Sequence, residues 1–176
     1  MAEANPGDDY SDQLGWTYAL AGRKADAEAQ YRVLLQRGLR DVQDMPSGDA
    51  AAQSMAFLAR AYAYIGDRAD AIKYANRAVA AMPSSGAFRQ RPVVLVISAG
   101  ALAWAREIAA ARALYRQLLE LSFEIKPRGL WCDPMSAPMR ADPAFRAMMA
   151  EHGVDVSVDP HRRDTWPKPA ASQPGT

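Results

Sequence analysis

The sequence predicts an all-α chain on three observations. Alanine, the strongest helix former, supplies 36 of the 176 residues. The residues that favour strands are scarce, with nine Val, five Ile and three Thr. Apolar side chains recur every three to four residues from Ser11 onward, the period of a helix with one buried face.

The first helix starts near Ser11, repeats through Leu14, Tyr18 and Ala21, and ends at Gly22, a residue that readily takes the left-handed turn at a helix end. A second spans about Lys24 to Gln36 with Ala27, Tyr31, Leu34 and Leu35 on one side, which makes a helical hairpin with the first. A polar linker from Asp41 to Asp49 follows. The arrangement then returns as Ala50 to Ile65, Gly66-Asp67, and Arg68 to Met82, ended by Pro83. A loop, Ser84 to Pro92, leads to a third pair, Val93 to Trp104 and Glu107 to Leu121. Lys126-Pro127-Arg128-Gly129 is expected to break the last helix. Asp142-Pro143 then offers an N-cap and a first-turn proline to a short helix, Ala144 to Glu151, with Phe145, Met148 and Met149 on one face. The residues after Asp159, rich in Pro and polar groups, read as a disordered tail.

The hairpins repeat at a measurable offset. Tyr18 and Tyr62, Gly22 and Gly66, and Ala27 and Ala71 all lie 44 residues apart, and Tyr62 to Leu102, Ala71 to Ala111 and Ala75 to Tyr115 lie 40 apart. Gly15, Ala59 and Ala99 on the first helices, and Ala27, Ala71 and Ala111 on the second, are small enough to bring paired backbones close; large side chains there would cost about 1 to 3 kcal/mol each.

These residues resemble the tetratricopeptide repeat family. The middle unit carries Met55, Leu58, Ala59, Tyr62, Gly66, Ala71, Ala75, Ala78 and Pro83, departing from the pattern only at Ala75. The first offers Leu14, Gly15, Tyr18, Gly22, Ala27 and Tyr31, with Leu39 in place of the proline. The third has Leu95, Ala99, Leu102, Ala111 and Tyr115 but lacks the tyrosine, the turn glycine and the proline. The resemblance implies a right-handed solenoid of three hairpins over about 8–41, 52–85 and 92–125, preceded by an N-terminal tail, 1–7. A cap over 126–159 and a tail, 160–176, would follow. Leu130-Trp131-Cys132-Asp133-Pro134 through Arg146 is similar to the segment after the last repeat in bacterial members attached to cyclase, kinase or winged-helix domains, whose own motifs are absent from these 176 residues.

Charge and composition exclude several function classes. With 21 Lys+Arg against 20 Asp+Glu the net charge is +1, without the basic excess of a nucleic-acid binder. One Cys and two His leave no intrachain disulfide and almost no metal cage. No purely apolar run is longer than Val93 to Ile97, which is far below the roughly 20 residues of a membrane span. Residues 1–12 hold no basic residue of the kind an export signal starts with, so a cytoplasmic setting is the expectation, although a domain of a larger exported protein would read the same.

Among single residues, Cys132 beside Trp131 reads as cap packing rather than as a nucleophile, because no activating partner accompanies it. His152, Asp155, Asp159 and His161 lie where the chain is losing order and read as surface residues rather than metal ligands. Asp8, Asp9 and Asp12 complement the positive end of the first helix. The Pro-rich stretch Asp164 to Pro174 reads as terminus rather than as a docking peptide.

No residue pattern supports an enzyme or a cofactor. By the resemblance, the first helix of each pair lines a concave groove, and its candidate partner-binding residues are Trp16, Leu20, Gln53, Arg60, Tyr64, Val96 and Trp104. Asp12, Ala19, Ala56, Ala63, Gly100 and Ala103 share that face. The groove is mostly apolar and aromatic, and Trp, Tyr and Arg are the commonest binding anchors. Trp16 and Trp104 read equally well as half-buried core. If the groove residues are free, Arg60→Ala and Tyr64→Ala should weaken a partner while lowering the melting temperature by only a few degrees. The implied function is a non-catalytic module that binds a protein or peptide. The alternatives are an accessory domain of a larger regulator and a self-associating module.

Overall fold

The computed structural model describes residues 11–44, 48–82, 90–121 and 126–158. All regular structure among them is helical, in eight α-helices and one 3₁₀ helix, and no strand is present. The helices are α1 (Ser11–Leu20), α2 (Lys24–Asp44), α3 (Asp49–Ile65), α4 (Arg68–Ala81), α5 (Arg91–Trp104), α6 (Ile108–Glu120), α7 (Pro127–Cys132) and α8 (Pro143–Glu151), with the 3₁₀ helix, Pro134–Ala141, before α8. The expected tails and the Pro83, His161 and Pro-rich features lie outside the described residues.

Consecutive helices pack as pairs, α1 with α2, α3 with α4, and α5 with α6. Each pair leans on the next through α2 against α3 and through α3 and α4 against α5. All three pairs turn in the same way. Gly22 N donates to Ala19 O and Arg23 N to Tyr18 O; Gly66 and Asp67 repeat this on Ala63 and Tyr62, and Arg106 and Glu107 on Ala103 and Leu102. This double bond pattern closes a helix through one left-handed residue. The residues in question have φ of 73° at Gly22, 87° at Gly66 and 65° at Arg106. Arg106 therefore occupies, without being glycine, the position that the sequence offset assigns to the missing turn glycine.

Small residues set the spacing within and between pairs. A Cβ on Gly15 would lie 3.0 Å from the Tyr31 ring, and one on Gly38 would lie 2.9 Å from Leu58 Cδ2. Ala27, Ala59, Ala71, Ala99 and Ala111 are fully buried. The core runs along all three pairs and into the C-terminal cap, with Tyr31, Tyr115, Phe145, Met55 and Leu58 among its largest buried members.

Three expectations need correction. Helix α2 continues eight residues past Gln36, into the supposed linker, because Gly38 and Val42 are buried on that extension and Gly38 sits against α3. The Lys126 to Gly129 stretch does not only break structure: Pro127 opens α7, where its fixed φ suits the first helical position and its missing N–H costs nothing. Finally, the C-terminal cap is three short helices rather than one. Asp133 caps the 3₁₀ helix through Met135 N, and Asp142 caps α8 through Phe145 N as anticipated. Phe145 then packs tilted on Tyr115 and stacks against Trp131, and Arg112 on α6 pairs with Asp142 at 2.6 Å, which fastens the cap to the third pair.

Candidate functional site

Four of the seven predicted groove residues come together. Trp16 from α1, Arg60 and Tyr64 from α3, and Trp104 from the end of α5 line one cavity of about 470 Å³. Their helices are the first members of the three pairs, and Arg60 and Tyr64, four residues apart, share one face of α3. Ala19 and Ala63 complete its floor, and Lys24 and Glu28 of α2 stand on its rim. Tyr64 is half-buried and its ring packs on Tyr31 at 4.7 Å. Trp104 is half exposed, which makes it an open aromatic surface rather than core.

The other three predicted residues do not line this cavity. Leu20 is exposed, Gln53 is half-buried about two turns before Arg60 on α3, and Val96 packs against the core. Asp12, Ala56, Gly100 and Ala103, read as groove-facing, are buried.

Arg60 is not a free cation. Its Nε donates to Asp12 Oδ1 at 3.0 Å and its Nη2 to Asp12 Oδ2, a bidentate fork across 48 residues that joins α3 to α1. Trp16 and Phe57 lie over the guanidinium at 5.7 and 5.5 Å. The two charged side chains keep only 12% and 10% exposure. Asp12 sits in the first turn of α1 as expected and also serves this inter-helix ion pair, whereas Arg60, expected to be free in the groove, is engaged in a largely buried contact. Beneath the pair, burial pushes the Tyr31 phenol far above its ordinary range, with nearby Asp12 adding to the rise and Arg60 opposing it.

Sequence reasoning missed the residue that closes the groove. Met135 of the 3₁₀ helix forms one wall of the cavity and lies on Gly100 of α5, where an added Cβ would come within 2.7 Å of Met135 Cβ. The only signal was Gly100 itself, a glycine inside an apolar helix, where close approach of another chain is one standard reason. A smaller adjoining cavity, about 270 Å³, runs from Trp16 and Arg60 to Cys132, Asp133 and Pro134, so the C-terminal segment crosses the same face as far as α1. The segment is braced from behind: Arg140 donates to the Trp131 carbonyl at 2.7 Å and Ser136 Oγ to that of Asp133 at 2.8 Å.

The remaining polar candidates are engaged locally. Cys132 is half-buried against the core. His152 Nδ1 bonds the Met148 carbonyl at 2.8 Å. Asp155 accepts from the Ser157 hydroxyl and amide, which hold its carboxyl below the usual range. Asp8, Asp9, Asp159 and His161 lie outside the described residues. Among the described residues there is no group of three or more His, Cys, Asp or Glu placed to hold a metal ion, and no helix is long and apolar enough to cross a membrane.

Comparison with known proteins finds no match: no family model, no curated protein and no solved structure is significantly similar to the chain.

Proposed function

We propose that the protein is a non-catalytic interaction module, a solenoid of three tetratricopeptide-like hairpins that binds a peptide or helix of a partner protein on the face formed by α1, α3 and α5. One observation carries the reading: residues far apart in sequence, Trp16, Tyr64 and Trp104, converge on a single cavity whose walls are mostly aromatic and apolar. Concave, largely apolar clefts with a few polar groups are where ligands bind, and exposed tryptophan is a frequent energetic anchor. The shared turn geometry at offsets of 44 and 40 supports the repeat architecture.

The test is affinity capture from the source cells with the intact protein and with Trp104→Ala, analysed by mass spectrometry. A partner held by the intact protein and by the control Val33→Ala, but lost with Trp104→Ala, is the expected result. Identical capture lists for all three proteins would overturn the reading. The exposure of Leu20 and Trp104 favours self-association as a second reading. Sedimentation that shows only monomer across a wide concentration range removes it.

A further inference from the structure

A stack of helix pairs ends on a surface that has no further neighbour, and the helix left there normally carries a polar outer face to meet water. Helix α1 departs from this. Its one charged residue, Asp12, is spent on Arg60, and its exposed side consists of Gln13, Leu14, Thr17, Leu20 and, in the turn that follows, Ala21. Leu14 and Leu20 are 42% and 58% exposed. The exposed sides of the second helices differ, with Arg32 on α2, Lys73 and Arg77 on α4 and Arg116 on α6. The offsets of 44 and 40 account for the contrast. They put Leu14 and Thr17 in register with Leu58 and Ala61 of α3 and with Ser98 and Ala101 of α5, all four of which are fully buried. Leu58 reaches the preceding pair at Gly38. Helix α1 therefore presents a surface that the fold covers twice, and among the described residues no helix packs over it a third time.

The spacing of the stripe points to its occupant. Gln13, Leu14, Thr17, Leu20 and Ala21 stand at −4, −3, 0, +3 and +4 about Thr17, which is one face of a helix and is symmetric about its centre. A two-fold axis at Thr17 lays this stripe on a copy of itself that runs the other way. Resting on self-association, the second reading above, and not on the groove, we propose that α1 is the interface of a two-fold dimer of this chain. In it an antiparallel pair of α1 helices meets at Thr17, and each Leu14 packs on the partner's Leu20. An isologous contact needs a surface complementary to itself. This stripe meets the condition, because it brings leucine onto leucine, carries no charge into the contact and has the small Thr17 where the two backbones come closest. A charged partner segment would instead lose its hydration against a surface that offers no counter-charge. Two ten-residue helices bury less than a standard interface, so the dimer is reversible and forms as concentration rises.

The experiment uses the full chain. Sedimentation up to about 1 mM should show a monomer–dimer equilibrium. Leu14→Glu/Leu20→Glu sets like charges against each other and should weaken the dimer by about tenfold or more, whereas Val33→Glu, at an exposed apolar residue of α2, should change it by less than about twofold. Circular dichroism checks that each variant is folded. In a Cys132→Ser background, Thr17→Cys should give a disulfide-linked dimer on air oxidation. Gln13→Cys should not, because the two-fold separates the two positions 13 by about 12 Å along the helix axis, beyond the reach of a disulfide. If the double glutamate variant fails to fold, this pair of cysteine variants decides alone. A monomer at every concentration overturns the proposal; if the glutamates also lower its denaturation midpoint, the stripe is covered by the chain's own residues ahead of Ser11. A dimer that is indifferent to the glutamates but lost with Trp104→Ala overturns this interface and leaves self-association standing, and cross-linking at 13 in preference to 17 overturns the two-fold at Thr17. Capture that is insensitive to Trp104→Ala is the separate result that removes the groove reading.

Discussion

Arg60 shows what a single side chain does when it belongs to both the core and the surface. Its fork with Asp12 joins two helix pairs, while its outer edge borders the cavity. Removing it strands a buried carboxylate. Arg60→Ala should therefore cost about 2 to 4 kcal/mol in chemical denaturation, in line with breaking one partner of a desolvated ion pair. A loss below about 0.5 kcal/mol would place the pair among weak surface bridges instead. Which residues share a face was legible in the sequence, because a 3.6-residue period fixes the direction of Trp16, Tyr64 and Trp104 once the helices are placed. The pairing was not. It depends on the rotation of α1 against α3 and on two rotamers, and nothing in the spacing of Asp12 and Arg60 encodes either.

At the scale of elements, the turns were legible where glycine marked them and hidden where it did not. Gly22 and Gly66 announce left-handed residues; Arg106 takes the same conformation, φ 65°, with no compositional cue. A non-glycine residue in that region carries about 1 to 2 kcal/mol of steric cost, and glycine returns part of the relief as backbone entropy in the unfolded chain. Arg106→Gly is accordingly expected to stabilise the protein by about 0.5 to 1 kcal/mol, read as an upward shift of the denaturation midpoint with an unchanged slope. No change, or a loss, would mean that Arg106 makes a compensating contact. The 3₁₀ helix Pro134–Ala141 was illegible for a different reason: it has no 3.6-residue pattern, contains Pro138, and takes its shape from docking on α5. The extra turns of α2 were hidden because they are held by tertiary burial of Gly38 and Val42 and not by helix propensity.

For the whole molecule, two deeply buried phenols tie stability to alkaline pH. Burial raises Tyr31 and Tyr115 well above the ordinary value of 10.0. In the unfolded chain both ionise near pH 10, while in the folded chain both stay protonated, so above that pH the unfolded state releases protons first. Stability is then fully present below about pH 10 and falls as pH rises, by about 1.4 kcal/mol per unit for each phenol. Denaturation midpoints at pH 8, 10 and 11 measure the fall, and Tyr31→Phe/Tyr115→Phe should flatten it. A curve equally steep in the double variant would assign the loss to other groups. The all-helical class was readable from composition alone, since alanine abundance and the lack of β-branched residues act along the full length.

A row of helix pairs that touch only their neighbours would fray from each end independently. Here the first helix and the C-terminal segment border the same cavity, through Trp16 on one side and Cys132 to Met135 on the other. Because both supply walls of one cavity, the first helix and the segment Cys132 to Met135 are expected to lose amide protection together in hydrogen exchange, where the two ends of a simple stack would open independently.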